Sequence, residues 1–339
     1  MIIRTRAYAR AGLIGNPSDG YFGKTIAFTF GNFFAEVELY QTPELEILPN
    51  RRDHSRFSDI EHLAQDVRLN GYYGGIRLLK ATVKRFHDYC RHNELQLDDR
   101  NFTIRYTSNI PGRVGLAGSS AIIIAGLRAL MAFYQVSIPP PVQANLALAV
   151  EREELGIPAG LQDRVAQVYQ GLVYMDFDRS LIERQGWGGY EHLDARKLPP
   201  LYIAYRQDLS EGTEVFHNNI RARYEQGEPA VVRAMARWAE LTVRFRAALA
   251  AGDVDAMTRL VNANFDLRRK IYRISDANLA MVAAARSAGA SAKFTGSGGA
   301  IVGVYRDEKM YARLVRALGE LNIKVLQPRI MPATGAVAV

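Results

Sequence analysis

Three glycine-rich segments, far apart along the chain, limit what this sequence can fold into. The middle segment reads Pro-Gly-Arg-Val-Gly-Leu-Ala-Gly-Ser-Ser-Ala over residues 111–121, and it leads into an apolar run at residues 120–134 that is predicted to be a helix. Glycine lets the backbone approach a ligand closely, and a helix start offers unpaired N–H groups to an anion. The segment favours a phosphate site, although a tight turn with an ordinary serine N-cap explains it as well.

The first and third segments carry different chemistry. Residues 10–24 crowd a cation, an amide, a hydroxyl and a carboxylate into one turn region, which is the mixture that a polyhydroxylated ligand needs. Residues 293–300 read Lys-Phe-Thr-Gly-Ser-Gly-Gly-Ala and lead into a strand-like run. A polar connection and a glycine-rich connection between elements are the respective alternatives. The middle segment has neither the GxxxxGK[ST] nor the GxGxxG spacing, which counts against a dinucleotide oxidoreductase.

Two carboxylates form a further candidate pair. Glu151 lies late in a predicted helix over residues 142–155, where most of its neighbours one turn away are apolar, and Asp163 begins the next predicted helix. One carboxylate could hold Mg²⁺, which prefers oxygen ligands, and the other could orient or deprotonate a hydroxyl. The alternatives are a solvated helix end for Glu151 and a contact with the helix dipole for Asp163.

The length of 339 residues suits two domains, because single cores rarely grow beyond about 250–300 residues. Predicted helices and strands are intermixed without strict alternation, which favours an α+β fold. We place the domain boundary in a predicted loop region at residues 186–200, which gives domains 1–195 and 196–339. The predicted strands cover residues 2–9, 25–30, 35–39, 102–106, 171–177, 201–205, 300–305 and 324–329. The predicted helices cover residues 73–89, 120–134, 142–155, 161–169, 231–251, 257–274, 278–288 and 309–321.

Charge and composition exclude several classes of protein. The net charge of +8 indicates either anionic partners, such as nucleotide phosphates or an acidic substrate, or a solvated arginine-rich surface. The sequence has no nucleic-acid-binding motif and no apolar run near the roughly 20 residues of a spanning helix, so we expect neither nucleic acid nor a membrane as partner. The single cysteine, Cys90, and the lack of a signal-peptide pattern favour a cytoplasmic protein without disulfides.

In this order, the segments resemble the GHMP kinase superfamily, which is named for its galactokinase, homoserine, mevalonate and phosphomevalonate kinase members. The middle motif, Pro-x-x-x-Gly-Leu-x-x-Ser-Ser-Ala, is the most specific signature of that family. The amino-acid sequence of residues 12–25, 71–79 and 99–103 is most similar to that of the glucuronokinase branch. The resemblance implies an N-terminal domain like ribosomal protein S5 domain 2, a ferredoxin-like C-terminal domain, and ATP in the cleft between them.

The resemblance also implies a role for each matching position. Asp163 would face the acceptor hydroxyl with Arg10 beside it, and Ser120 and Glu151 would ligate Mg²⁺. The loop that binds ATP would consist of Pro111, Gly112, Arg113, Gly115, Leu116, Ala117, Gly118, Ser119, Ser120 and Ala121. The substrate would contact Asn16, Ser18, Asp19, Lys24, Gly296, Ser297 and Gly298.

The expected activity is ATP-dependent phosphorylation of a sugar acid, with D-glucuronate as the first candidate and glucuronate 1-phosphate as its product, by a monomer or homodimer. Asn16 and Pro17 depart from the Glu-His pair of galactokinases, so galactose is a poor fit. A substrate carboxylate needs a cation, for which Lys24, Arg51, Arg52 and Arg113 are the candidates. The alternatives are a kinase for another sugar or a mevalonate-type alcohol, and a non-catalytic sugar or nucleotide sensor on the same fold.

Overall fold

The computed structural model describes residues 2–49, 53, 60, 74–206 and 220–334. The candidate cations Arg51 and Arg52, most of the polar loop around them, and motif residues 71–73 lie outside the described residues. Within these ranges no helix is both long and apolar enough to cross a membrane.

One long strand organises the first sheet. The strand β2 pairs antiparallel with β1 along its length, and it also pairs antiparallel with β5 near its start and with β4 near its end. The strands β3 and β6 add to the outer sides of β4 and β5. The strands of this sheet are β1 (Ile2–Ile14), β2 (Lys24–Thr42), β3 (Glu46–Ile47), β4 (Asn101–Ser108), β5 (Leu172–Asp176) and β6 (Gly189–Leu193).

The strand β2 is continuous, whereas the sequence predicted two separate strands at residues 25–30 and 35–39. Tyr8 pairs with Phe34 and its neighbour Ala9 pairs with Phe30, so residues 31–33 are extra relative to β1. Such a bulge bends a strand without ending it. The two predicted strands lie on either side of this bulge.

The helices that pack on the first sheet centre on α2, which contacts β1, β2, α1, α3 and α4. This helix buries residues on all its sides from Ser120 to Phe133, as expected for a helix that is apolar all round. Its start is therefore held rigidly beside the sheet. The helices are α1 (Gly75–His92), α2 (Gly118–Tyr134), α3 (Pro140–Ala149), α4 (Leu161–Tyr169) and α5 (Arg179–Gln185).

Two further predictions in this half need correction. The α-helix expected over residues 142–155 ends at Ala149 and is followed directly by the π-helix Val150–Glu154. Just after the π-helix, the N–H of Ile157 donates to the carbonyl of Glu151 at 2.7 Å. Apolar periodicity does not separate these two kinds of helix. The loop region expected over residues 186–200 contains β6, an edge strand whose residues at 191 and 192 are exposed, so the apolar alternation of a buried strand is missing.

The second sheet has the order β10-β7-β9-β8, and its neighbours are antiparallel. The boundary predicted at residue 195 falls at the 3₁₀ helix Ala195–Lys197, between the two sheets. Helices and strands are mixed without strict alternation, which confirms the α+β class. The elements are β7 (Leu201–Tyr205), α6 (Pro229–Ala251), α7 (Val254–Ile271), α8 (Asp276–Ser287), β8 (Lys293–Phe294), β9 (Ala300–Val304), α9 (Glu308–Gly319) and β10 (Lys324–Leu326).

Buried polar side chains of α6 and α7 hold the backbone of the first glycine-rich segment. The amide oxygen of Asn264 accepts from the N–H of Gly15 at 2.7 Å, and its amide nitrogen donates to the carbonyl of Asn16 at 3.3 Å. The hydroxyl of Thr242 donates to the carbonyl of Lys24 at 2.9 Å. Because Asn264 is only 1% exposed, water does not replace its contacts, and the second half of the chain fixes the shape of the first segment.

We predict that Asn264→Ala lowers the melting temperature by several degrees. The substitution leaves the buried N–H of Gly15 without its acceptor, which costs about 1–3 kcal/mol. Thermal unfolding followed by circular dichroism measures the change. Asn101→Ala is the control, because the amide of that exposed residue donates to the carbonyl of Pro43 at the surface. Equal melting temperatures for Asn264→Ala and the wild type would contradict the prediction.

Candidate active site

The three glycine-rich segments meet backbone to backbone. The N–H of Gly12 donates to the carbonyl of Thr295 at 2.9 Å, and the hydroxyl of Thr295 donates to the carbonyl of Gly115 at 3.1 Å. A β-carbon at Gly12 would lie 2.7 Å from the Thr295 oxygen, and one at Gly296 would lie 2.7 Å from the Gly115 oxygen. Only glycine permits these approaches, so the glycines that the sequence analysis singled out serve to bring the segments together.

The middle segment leaves the start of α2 without a side-chain cap. Ala117, the residue before the helix, has a left-handed backbone with φ 62°, and no side chain among the described residues accepts from the first N–H groups. The hydroxyl of Ser120 donates instead to the carbonyl of Ala117 at 3.3 Å. The alternative of an ordinary serine N-cap is therefore wrong. Uncapped N–H groups at the positive end of a helix form a ready site for a phosphate.

The rest of the predicted phosphate loop divides into an anchored part and an open part. Pro111, Leu116 and Ala121 are buried and fix the loop to the core. Gly112 and Arg113 are exposed at its rim, and Arg113 has a left-handed backbone with φ 60°. The guanidinium of Arg113 thus lies at the surface of the loop.

The carboxylate of Glu151 is buried beside the start of α2. It is 1% exposed, accepts from the hydroxyl of Ser119 at 2.7 Å, and forms an ion pair with the buried Arg164. The alternative of a solvated helix end is wrong for this residue. Sequence reasoning paired Glu151 with Ser120, whereas in the structure Ser119 is the serine whose hydroxyl contacts it.

The acidic partner Asp163 is held by Arg10 from β1. Arg10 Nη2 lies 2.5 Å from Asp163 Oδ1, and Arg10 Nη1 donates to the carbonyls of Thr295 at 2.6 Å and Gly115 at 3.2 Å. Arg10 is 3% exposed, whereas the Asp163 side chain is 23% exposed. The carboxylate is thereby fixed in orientation while one part of it remains open to a ligand.

Asp19 lies beside this pair at the start of α4. Its Oδ2 accepts from the N–H of Gln162 at 3.4 Å, and a β-carbon at Gly160 would lie 2.2 Å from the same oxygen. Burial raises the pKa of Asp19 to about 6, and the negative charge of Asp163 adds to this increase, while the Gln162 N–H and Arg10 oppose it. Two carboxylates therefore face one region.

Two buried cations near the third segment were missed by sequence reasoning. Lys293 is 1% exposed, and its ammonium donates to the carbonyl of Gly12 and to the side-chain oxygen of Asn16. Burial lowers the pKa of Lys293 well below its ordinary value, and the charges of Arg268 and Arg10 act in the same direction. One hint of its role was its place at the start of a predicted ligand segment.

Arg268 is the second missed cation, and it fixes the third segment directly. Its guanidinium donates to the carbonyls of Gly296 at 2.9 Å and Ser297 at 3.2 Å. Gly298 next to them has a φ of 155°. No feature of the helical pattern around residue 268 distinguishes this arginine from its neighbours Arg269 and Lys270, so the sequence offered no signal for it.

Two predicted substrate residues are engaged elsewhere. The hydroxyl of Ser18, which is fully buried, donates to the carbonyl of Lys24 at 3.1 Å. The ammonium of Lys24 forms an ion pair with Asp176, its partner across β2 and β5. These contacts give both side chains a structural role, and they do not support the assignment of either one to the substrate.

The donor set of this region fits a shared magnesium site. In the ranges described above, no group of three or more His, Cys, Asp or Glu side chains could hold a metal ion by itself. Mg²⁺ is commonly held by one or two carboxylates together with substrate phosphates and water. Glu151 and the serine hydroxyls at the start of α2 supply such a partial set next to the phosphate site.

We predict that Asp19→Asn raises the melting temperature at pH 7.5 but hardly at pH 4. The folded pKa of about 6 lies above the ordinary 3.8, so folding is penalised as pH rises from about 4 to 6, and the full penalty is present above 6. Two pKa units correspond to about 3 kcal/mol, which solvent access reduces. Asp98→Asn is the control for calorimetry at both pH values, since Arg100 lowers the pKa of that exposed carboxyl. A gain of equal size at both pH values would contradict the prediction.

Two protein-family models match parts of this chain. The model "GHMP kinases N terminal domain" matches residues 77–171, which include the middle segment, Glu151 and Asp163. The model "GHMP kinases C terminal" matches residues 245–324, which include the third segment.

Similar proteins extend over most of the chain. Probable glucuronokinase 2 from Arabidopsis thaliana is 46% identical over 308 residues, which cover 89% of this chain and 84% of that protein. Glucuronokinase 1 from the same plant is 44% identical over 306 residues, which cover 88% and 84%. Among solved structures, the mevalonate kinase of Methanococcus jannaschii matches with a TM-score of 0.71 at 20% identity and covers 98% of both chains.

Proposed function

The chain belongs to the GHMP kinase family, and from this premise we propose that it transfers the γ-phosphoryl group of ATP to D-glucuronate. Membership confirms the family resemblance seen in the three segments, the two-domain GHMP kinase fold, and a phosphotransferase that acts on a hydroxyl group. The observation that carries the proposal is the contact of Arg10 with Asp163 and with the carbonyl of Gly115. Through Arg10, Asp163 on the acceptor side and Gly115 on the phosphate side are held in fixed positions relative to each other.

The donor side of the proposed reaction is built on the start of α2. The phosphates of ATP lie against the N–H groups of the loop from Gly115 to Ser120, where the helix dipole favours negative charge. Glu151 and Ser120 are the proposed magnesium ligands, with Ser119 as the hydroxyl nearest to the carboxylate. Bound Mg²⁺ supplies neutralisation of the phosphate charge. Arg164, the buried partner of Glu151, holds the carboxylate in place.

The acceptor side uses Asp163 to orient the hydroxyl and to receive its proton. The hydroxyl oxygen forms a bond to the γ-phosphorus, the bond from that phosphorus to the β–γ bridging oxygen breaks, and ADP leaves. Phosphoryl transfer needs little covalent chemistry from a protein, so alignment and charge neutralisation provide most of the acceleration. Arg10 holds Asp163 at one angle and thereby limits the positions that the hydroxyl can take. For glucuronate the product is the anomeric 1-phosphate.

Two lines of support favour a sugar acid over other acceptors. The relatives of 44–46% identity that span most of the chain are named glucuronokinases, whereas the likeness to mevalonate kinase at 20% identity concerns the fold alone. Beside Asp163, the carboxylate of Asp19 is a second acceptor for the hydroxyl groups of a polyhydroxylated ligand. A non-catalytic sensor is disfavoured, because buried charge pairs such as Glu151–Arg164 are expensive to desolvate and are commonly retained for function.

We predict that kcat/KM for glucuronate exceeds kcat/KM for glucose, which has a similar shape but no carboxylate. A steady-state comparison of glucuronate, galacturonate, glucose, galactose and mevalonate, with ATP and magnesium, measures the preference through ADP release. If a neutral sugar or mevalonate is clearly preferred, the acceptor assignment is overturned and the kinase assignment stands. Nucleotide binding without turnover of any acceptor would support the sensor alternative.

We predict that Asp163→Asn and Glu151→Gln impair different steps. Asp163→Asn lowers kcat, by about 10²–10⁴-fold as is typical for loss of a general base, and leaves the KM for ATP nearly unchanged. Glu151→Gln raises the magnesium concentration needed for half-maximal rate, and it lowers stability because Arg164 loses its partner. Glu153→Gln is the matched control, since that neighbouring side chain is 61% exposed. Wild-type turnover by both variants at limiting magnesium would refute these roles.

A further inference from the structure

The cations around the three segments are mostly committed to protein groups. In the part of the chain that the structure describes, Arg10, Lys24 and Arg164 form ion pairs with carboxylates, and Lys293 and Arg268 donate to carbonyl or amide oxygens. An anionic acceptor that enters this site loses hydration, which must be compensated by a cation with N–H groups to spare. The five committed residues are poorly suited to that task.

Arg221 differs from these five in its exposure and in its weak partner. It lies in a helical stretch described over residues 220–225, and its side chain is 44% exposed. Its ion pair with Glu225 has an N–O distance of 3.8 Å, and that carboxylate is 64% exposed, so the pair contributes little energy. The guanidinium is therefore available to an incoming anion.

The position of Arg221 places this available charge beside the first segment. Its Nη2 lies 3.6 Å from where a β-carbon at Gly20 would be, and its guanidinium carbon lies 5.7 Å from the centre of the Tyr21 ring. Gly20 follows Asp19 directly. The aromatic ring restrains the guanidinium group. A restrained guanidinium loses less conformational entropy when it forms two hydrogen bonds with a carboxylate.

A buried amide on the other side of Asp19 indicates a polar ligand in the same region. Gln162 is 3% exposed, and its side-chain oxygen finds no hydrogen-bond partner among the described residues. Its backbone N–H donates to Asp19, and the next residue is Asp163. Buried polar atoms nearly always have a hydrogen-bond partner. The side-chain oxygen of Gln162 is therefore an acceptor to which a sugar hydroxyl can donate.

We propose that Arg221 binds the carboxylate of the sugar-acid acceptor, while Asp19 and the side-chain oxygen of Gln162 receive its hydroxyl groups. This assignment rests on the proposed function. A third carboxylate near Asp19 and Asp163 would be repelled unless a cation accompanied it. Arg221 supplies that cation beside Gly20 and Tyr21.

The test combines variants of Arg221 with a neutral analogue of the substrate. Arg221→Met keeps an apolar stem over Tyr21 and removes the charge, and Arg221→Lys keeps the charge without the planar fork. D-glucuronamide replaces the carboxylate of glucuronate with an uncharged group of nearly the same shape. Arg179→Met is the matched control, because the guanidinium of Arg179 lies 4.3 Å from the centre of the neighbouring Phe22 ring.

For Arg221→Met we expect kcat/KM for glucuronate to fall by about 10- to 100-fold, mainly through KM, because a charge-assisted contact is lost. The fall with glucuronamide is much smaller, Arg221→Lys is intermediate, and Arg179→Met keeps the wild-type ratio of the two substrates. The KM for ATP and the melting temperature of each variant show whether the fold and the donor site are intact.

The possible outcomes separate this inference from the proposed function. If the wild type prefers glucuronamide or glucose to glucuronate, the proposed function fails. If the wild type prefers glucuronate and Arg221→Met keeps that preference, Arg221 is not the carboxylate site, although the proposed function stands. Equal losses with glucuronate and glucuronamide would assign Arg221 a structural role and likewise overturn the inference.

Discussion

The rest of the site depends on the contacts that the buried guanidinium of Arg10 makes. A single side chain donates to carbonyls of the middle and third glycine-rich segments and pairs with Asp163. Because the charge is almost fully desolvated, each of these contacts is strong, and loss of any one would leave a costly unpaired group. The strand β1 therefore does more than carry the first segment. Through Arg10 it contacts Gly115 and Thr295, which lie 105 and 285 residues further along the chain.

The sequence was informative where local chemistry decides structure. The family resemblance placed Arg10 beside Asp163, and the two side chains are in contact. The strand β7 was predicted with its observed bounds because its apolar run is sharply limited by Pro199-Pro200 and a polar stretch. Predictions failed where structure depends on distant partners. The bulge in β2 is defined by its pairing with β1, and the edge strand β6 is held by β5 rather than by its own pattern.

The same reasoning explains which site residues escaped prediction. Lys293 and Arg268 act through carbonyl oxygens of segments that approach them only in the folded chain. A lysine or arginine on a helix or strand usually reaches solvent, so burial of its charge cannot be read from spacing alone. The choice between Ser119 and Ser120 beside Glu151 likewise depends on the orientation of the first helical turn, and neighbouring serines look alike in sequence. Local pattern identifies the segments, while tertiary contact assigns the individual atoms.

The backbone contacts between the segments also bear on how such a site can change over evolution. Gly12, Gly115 and Gly296 have no room for a β-carbon without displacing backbone atoms of another segment. Substitution of these glycines by other amino acids is therefore strongly disfavoured. Arg221, by contrast, is exposed, and its Nη2 lies 3.6 Å from the position of a β-carbon at Gly20. Its replacement leaves the junction of the three segments intact, so substitutions at this rim are tolerated more readily than substitutions at the junction.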